Sequence, residues 1–181
     1  MKKTMKSILA LALLAATLAT LLLFVSCGTD EDIKSFLTAE EYTIENELLT
    51  IKVDGDKVYY KSGNVEKYLY LIREETMYYY CEIVDGKIVT KRAIDSEHYI
   101  VYRESMVSYA MQLSQVLTAT LQMADKTKAE DGSFVVNGYT ISSLDGNITI
   151  AKDGQTTVIS GINKTKLEIP ESVLAKKAVK G

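Results

Sequence analysis

The 181-residue sequence has no tryptophan, one proline, one histidine, two cysteines and three phenylalanines. Each scarcity removes a class of chemistry. With His98 the sole histidine, any triad or general base of the histidine type must use that one ring. It stands in "DSEHYIVY" beside Asp95, Ser96 and Glu97. Neighbouring side chains on a strand point opposite ways, so the expectation is a surface histidine in a loop before a strand. The chain lacks a Gly-x-Ser-x-Gly elbow, a His-Glu-x-x-His, a Cys-x-x-Cys and a Gly-rich phosphate loop. Asp30, Glu31 and Asp32, and Glu74 with Glu75, lack the oxygen spacing of a calcium loop. A non-catalytic protein without metal or cofactor is expected.

Positive charge is also short after the first six residues. Setting aside Lys2, Lys3 and Lys6 leaves 18 basic against 24 acidic residues, a charge near −6. Such a chain is a poor candidate for nucleic acid or for unaided docking on anionic lipid.

The N-terminus is the first thing present in excess. Lys2, Lys3 and Lys6 precede an uncharged run from Ile8 to Val25, the basic and apolar regions of an export signal. The run is also long enough for an uncleaved membrane span, about 20 residues. Phe24-Val25-Ser26-Cys27 resembles the lipobox of bacterial lipoproteins, in which the cysteine becomes lipid-modified and N-terminal. Either reading places the rest of the chain outside the cytoplasm. The expected organisation is a signal peptide over residues 1–26, the lipidated Cys27 with a short polar tether to residue 35, and one extracytoplasmic domain over residues 36–181. The expected location is a cell membrane, the lipid on Cys27 being the membrane partner. With Cys27 so used, Cys81 has no intramolecular disulfide partner; among Met77, Tyr79 and Ile83 it reads as a small buried hydrophobe.

Six dipeptides punctuate the remainder: Asp54-Gly55, Asp85-Gly86, Asp131-Gly132, Asn137-Gly138, Asp145-Gly146 and Asp153-Gly154. They suit the positive φ angles of tight hairpins. Leu49, Ile51 and Val53 alternate with Thr50 and Lys52, and further short stretches rich in Tyr, Val and Ile follow: "KVYYK", "KYLYLI", "MYYYCEIV", "KIVTK", then "FVVNGYTIS", "NITIA", "TTVIS" and "KLEIP". Alternation sets Met77, Tyr79, Cys81 and Ile83 on one face and Tyr78, Tyr80 and Glu82 on the other. Mid-chain the period changes. Met106, Ala110, Leu113, Leu117 and Leu121 recur at spacings of three and four, predicting an amphipathic helix over Glu104 to Asp125. Weaker helical turns are expected at "DIKSFLTAEE" and "PESVLAKKA", where Pro170 suits a first helical position.

The expected fold is α+β: a strongly curved antiparallel sheet of about eight or nine strands, a half-barrel, with the long helix on its concave face. Lipobox, meander, mid-chain helix and the closing "INKTKLEIPESV" together resemble the half-barrel lipoproteins similar to the outer-membrane lipoprotein carrier and the mycobacterial lipid-binding lipoproteins. That resemblance implies an apolar ligand, a lipid or acyl chain, held between sheet and helix. Its lining would be Met106, Ala110, Leu113, Leu117 and Leu121 with Met77 and Tyr79. The competing expectation is a filled core and an outward tyrosine face of Tyr59, Tyr78 and Tyr80 that contacts another envelope protein. An apolar pocket of at least ~300 Å³ separates the first reading from the second.

Overall fold

A computed structural model describes residues 28–123 and 128–180. Helix α1 (Thr29–Leu37) leads into a meander of six strands. These are β1 (Glu41–Glu45), β2 (Leu49–Asp54), β3 (Lys57–Ser62), β4 (Val65–Ile72), β5 (Met77–Val84) and β6 (Lys87–Ile94). Helix α2 (Ser96–Gln122) follows, then a second meander of β7 (Phe134–Val136), β8 (Tyr139–Leu144), β9 (Asn147–Lys152) and β10 (Gln155–Ser160). Short α3 (Glu171–Ala175) and β11 (Val179–Lys180) come last.

All the strands join one open sheet in the order β11-β6-β5-β4-β3-β2-β1-β10-β9-β8-β7, with α2 packed on it, so the α+β class stands. Ten strands pair antiparallel; two-residue β11 pairs parallel with β6. The strand count exceeds the eight or nine expected because β1 and two-residue β11 were not counted and "FVVNGYTIS" divides at Asn137-Gly138 into β7 and β8. Conversely, "KLEIP" forms no strand. Instead Leu167 N–H donates to the Asp54 carboxylate (3.0 Å), so its backbone is satisfied by a side chain.

The turn residues act as their chemistry requires. Asp85-Gly86, Asn137-Gly138, Asp145-Gly146 and Asp153-Gly154 have positive φ at both positions, the requirement of a two-residue type I′ hairpin. Asp131-Gly132 departs from this pattern. Only Gly132 has positive φ, and its N–H donates to Ala129 O in a loop closed by Asp131 bonding Ser133.

Two further expectations are corrected. Residues 28–35 are no tether: α1 begins at Thr29 and buries Ile33 and Phe36 in the main core. The long helix starts at Ser96, not Glu104, so His98 lies in its first turn and not in a loop before a strand. Asp95 is the N-cap, its Oδ1 accepting from His98 N–H (2.8 Å). The Tyr-Ile-Val-Tyr run at residues 99–102 imitates a strand, and the cap with Glu97 behind it overrides that local preference.

One core joins both meanders to the helices. Ile44, Ile51, Val58 and Leu69 meet Phe134, Ile141, Ile148 and Ile159 around Met106, Val107, Ala110, Leu113 and Leu117. A smaller cluster lies on the other face of the sheet: Tyr68, Tyr70 and Cys81 under Val173, with Ile169 beside them. The C-terminal segment is latched there by Lys91, whose ammonium donates to Val173 O and Leu174 O at 2.9 Å each.

Candidate functional site

Of the residues expected to line a lipid cavity, Leu113 alone borders one of the described openings. Met106, Ala110, Leu113 and Leu117 are buried and packed against the main core, and Leu121 is half-buried against it. Met77 and Tyr79 belong to the opposite face of β5. Met77 is 39% exposed, and the Tyr79 hydroxyl donates to Glu75 while Lys91 sits 5.3 Å above its ring.

The outward tyrosine face is likewise divided. Tyr78 and Tyr80 point under α2, stacked on Tyr99 (4.2 Å) and Tyr102 (4.3 Å). Tyr59 lies on the other face, against Tyr68 (4.9 Å), its hydroxyl donating to Glu66 (3.1 Å). The alternation within β5 is as read; which side receives the helix is the reverse of the grouping made from sequence. Pairs of long aromatic side chains fill the helix–sheet gap at the N-terminal half of α2, where the aliphatic stripe has not yet begun. Cys27 lies outside the described residues.

Cys81 is buried, with its thiol pushed up by burial. It has a cation opposite it, Lys91, that sequence reasoning missed. Counting back from the Asp85-Gly86 turn sets Cys81 against Thr90, but a bulge between Glu82 and Ile83 shifts the register by one. Burial in turn pushes the Lys91 ammonium down, partly offset by Cys81 and Glu75.

A wider opening lies elsewhere. A groove of about 660 Å³ opens between the start of β1, the β2–β3 turn, the end of β4 and the N-terminal half of α2. Its chemistry is charged: Glu40, Glu41, Asp54 and Asp56 face Lys57, Arg73 and Arg103, with Tyr99 as the aromatic wall. Hairpin geometry builds the rim. Gly55, at φ +57°, lets the chain reverse in two residues, and its N–H donates to Glu40 O (3.1 Å). Tyr99 Oη donates to Asp56 O (3.3 Å), pinning that turn to α2.

Charges within the groove are unevenly compensated. Asp54 pairs with Lys57 (3.4 Å) and Lys166 (3.7 Å), and Lys166 also bonds Glu41 (2.7 Å). Burial pushes the Asp54 carboxyl up, but the Leu167 N–H and the two lysines outweigh it and hold it below its ordinary value. Asp56 and Arg73 are 3.9 Å apart at the exposed rim. Arg103 is half-buried and forms no salt bridge among the described residues. Burial pushes the Tyr42 and Tyr99 hydroxyls up, and the positive charge of Arg103 partly offsets both shifts. Glu40 is exposed and has no ion pair among the described residues. Arg103 also hydrogen-bonds the Tyr99 hydroxyl, so the groove offers one cation and one anion that lack an ion-pair partner among the described residues.

A second opening, about 340 Å³, lies between Tyr109, Leu113 and Val116 of α2 and Ile150, Lys152 and Asp153 of the second meander. It is crossed by the Tyr109–Thr157 hydrogen bond of 2.8 Å. Among the described residues no group of three or more His, Cys, Asp or Glu side chains is placed to hold a metal ion. No described helix is long and apolar enough to cross a membrane.

Sequence reasoning missed the groove because its members come from four separated segments, and each reads locally as a turn or a solvated charge. No protein-family model, characterised protein or solved structure matches this chain.

Proposed function

We propose that this protein is a lipid-anchored extracytoplasmic binding protein, without catalytic activity, whose ligand is taken in the charged groove and not inside the core. The anchor is the lipid on Cys27. The half-barrel curvature that the resemblance implies belongs to the same reading, and would let both meanders reach one helix. The observation that carries the choice of site is the use of the α2 stripe: Met106, Ala110, Leu113 and Leu117 are consumed in closing the core. Of the two described openings in the 300–1,000 Å³ range typical of ligand sites, the groove at Arg103 is the larger and gathers seven charged side chains against two, Lys152 and Asp153, in the other.

The expected lipid-in-core ligand requires α2 to lift from the sheet. That would expose Leu113 and Leu117 and break the Tyr78–Tyr99 and Tyr80–Tyr102 stacks. Contact with an envelope protein is compatible with a filled core, but through the groove rim and not through Tyr78 or Tyr80.

Two measurements test this reading. Labelling cells with a fatty-acid analogue should mark the wild type and leave Cys27→Ser unlabelled; label on the variant removes the anchor. Native mass spectrometry of the gently released full protein should find no acyl-chain ligand retained in the domain. A stoichiometric fatty acid whose retention is lost in Leu117→Gln, and unaffected by Glu40→Gln, returns the site to the core.

A further inference from the structure

The position of the groove relative to the N-terminus restricts its ligand further. Helix α1 lies across the strand ends of the second meander and of β1. Asp32 near its start bonds Ser143 at the end of β8, and Ser35 is bonded by Asn163, just beyond β10. Its last residue is followed three positions later by Glu40, which lines the groove. The turns β2–β3 and β4–β5 and the start of α2 also sit at this end of the strands. Groove and N-terminus therefore share one end of the sheet.

The leash between them is short. Cys27 is one residue before Gly28, so its Cα stands about 3.8 Å from that of Gly28. Helix α1 adds about 14 Å at 1.5 Å per residue. With three further residues, the groove begins within roughly 25–30 Å of the anchor. A lipid on Cys27 thus presents this end of the domain to the bilayer surface, with no linker to swing it away.

Resting on the proposed anchor and groove, we infer that the groove receives the zwitterionic headgroup of a phospholipid in the membrane that carries the protein. The phosphodiester lies toward Arg103 and the ammonium toward Glu40. A guanidinium matches two phosphate oxygens in its plane, which an ammonium side chain does not. The exposed Glu40 carboxylate, in a groove that the Tyr99 side chain also lines, suits an ammonium through its charge. An anionic headgroup supplies no partner for Glu40, and the overall charge of the mature chain opposes it.

Full-length acylated protein in a mild detergent, titrated calorimetrically with glycerophosphoethanolamine, tests the headgroup itself, free of acyl chains. Saturable one-to-one binding is expected, at least tenfold weaker for Arg103→Gln and for Glu40→Gln, with glycerophosphoglycerol bound at least tenfold less tightly. Glu40→Gln is exposed and keeps the fold testable if Arg103→Gln lowers the melting temperature. Equal affinity for the two headgroups, or binding indifferent to both variants, overturns the inference. If glycerophosphoethanolamine fails while dihexanoyl phosphatidylethanolamine binds, acyl chains carry recognition and the groove is not the site. If neither binds, but a free amino acid does so in an Arg103-dependent way, the groove remains a binding site and the membrane headgroup is wrong.

Discussion

The two meanders are built to different rules. In β4, Tyr68, Leu69 and Tyr70 are buried in succession, because the main core covers one face and the C-terminal segment covers the other. In β9 only Ile148 and Ile150 are buried, alternating with Asn147, Thr149 and Ala151, because no described element covers the second face. Strands β3 to β6 of the first meander are thus the middle of a three-layer stack, whereas β2 and the second meander bury one face. Tyrosine follows the stack. A ring that spans the gap while its hydroxyl finds a carboxylate or the rim suits a partly covered face, and Tyr59 with Glu66 and Tyr79 with Glu75 show this use.

The sharpest way to break both halves at once is Leu117→Ala. Leu117 is fully buried where the two meanders meet α2, so the change should cost about 2–5 kcal/mol in urea unfolding. An alkaline titration discriminates between the halves, since the buried tyrosines of the sheet belong to the first. Burial holds Tyr59, Tyr68, Tyr70 and Tyr80 above the ordinary value of 10.0. The folded protein keeps protons that the unfolded chain releases near pH 10. The stability so contributed is complete below pH 10 and is lost as pH rises above it. Tyrosinate absorbance should therefore appear together with loss of ellipticity, and a titration that finishes before unfolding would show those rings to be open to water.

The outer layer is tested through its latch. Lys91→Met leaves Val173 O and Leu174 O without their donor and should cost about 1–3 kcal/mol. It should also make Cys81 react with a thiol reagent under conditions where the wild type does not. If stability falls while Cys81 stays protected, the segment is held by Val173 packing and not by the latch. The smallest effect is a gain. Tyr70 Oη is buried without a hydrogen-bond partner among the described residues. Tyr70→Phe should raise the stability by up to about 1 kcal/mol, read as a higher urea midpoint at unchanged slope.

The same contrast explains what the sequence disclosed. The second meander was legible almost strand by strand, because one-sided burial writes itself as alternation between turn residues with positive φ, such as Asn137 and Asp145. In the first meander the strands were legible but their faces were not. A strand covered on both sides, such as "KYLYLI", carries no mark of which side receives the helix. The helix stripe from Met106 to Leu117 was read as apolar, which it is; whether an apolar stripe lines a cavity or fills a core depends on distances that no periodicity encodes. Ile33 and Phe36 were hidden inside a polar stretch, where acidic residues in the first turn of α1 pass for a solvated tether. The groove at Arg103 depends on the β2–β3 turn meeting the start of α2, a long-range fact absent from either segment alone.

The pairing of β1 with β10 matches Thr43 to Ser160 near the middle of the sheet. Neither meander can be joined to the other until almost the whole domain has emerged. As the chain is synthesised, β1 must therefore wait with an open edge until β10 has emerged. That edge is the place where a second copy of the chain would pair with it before the domain is complete.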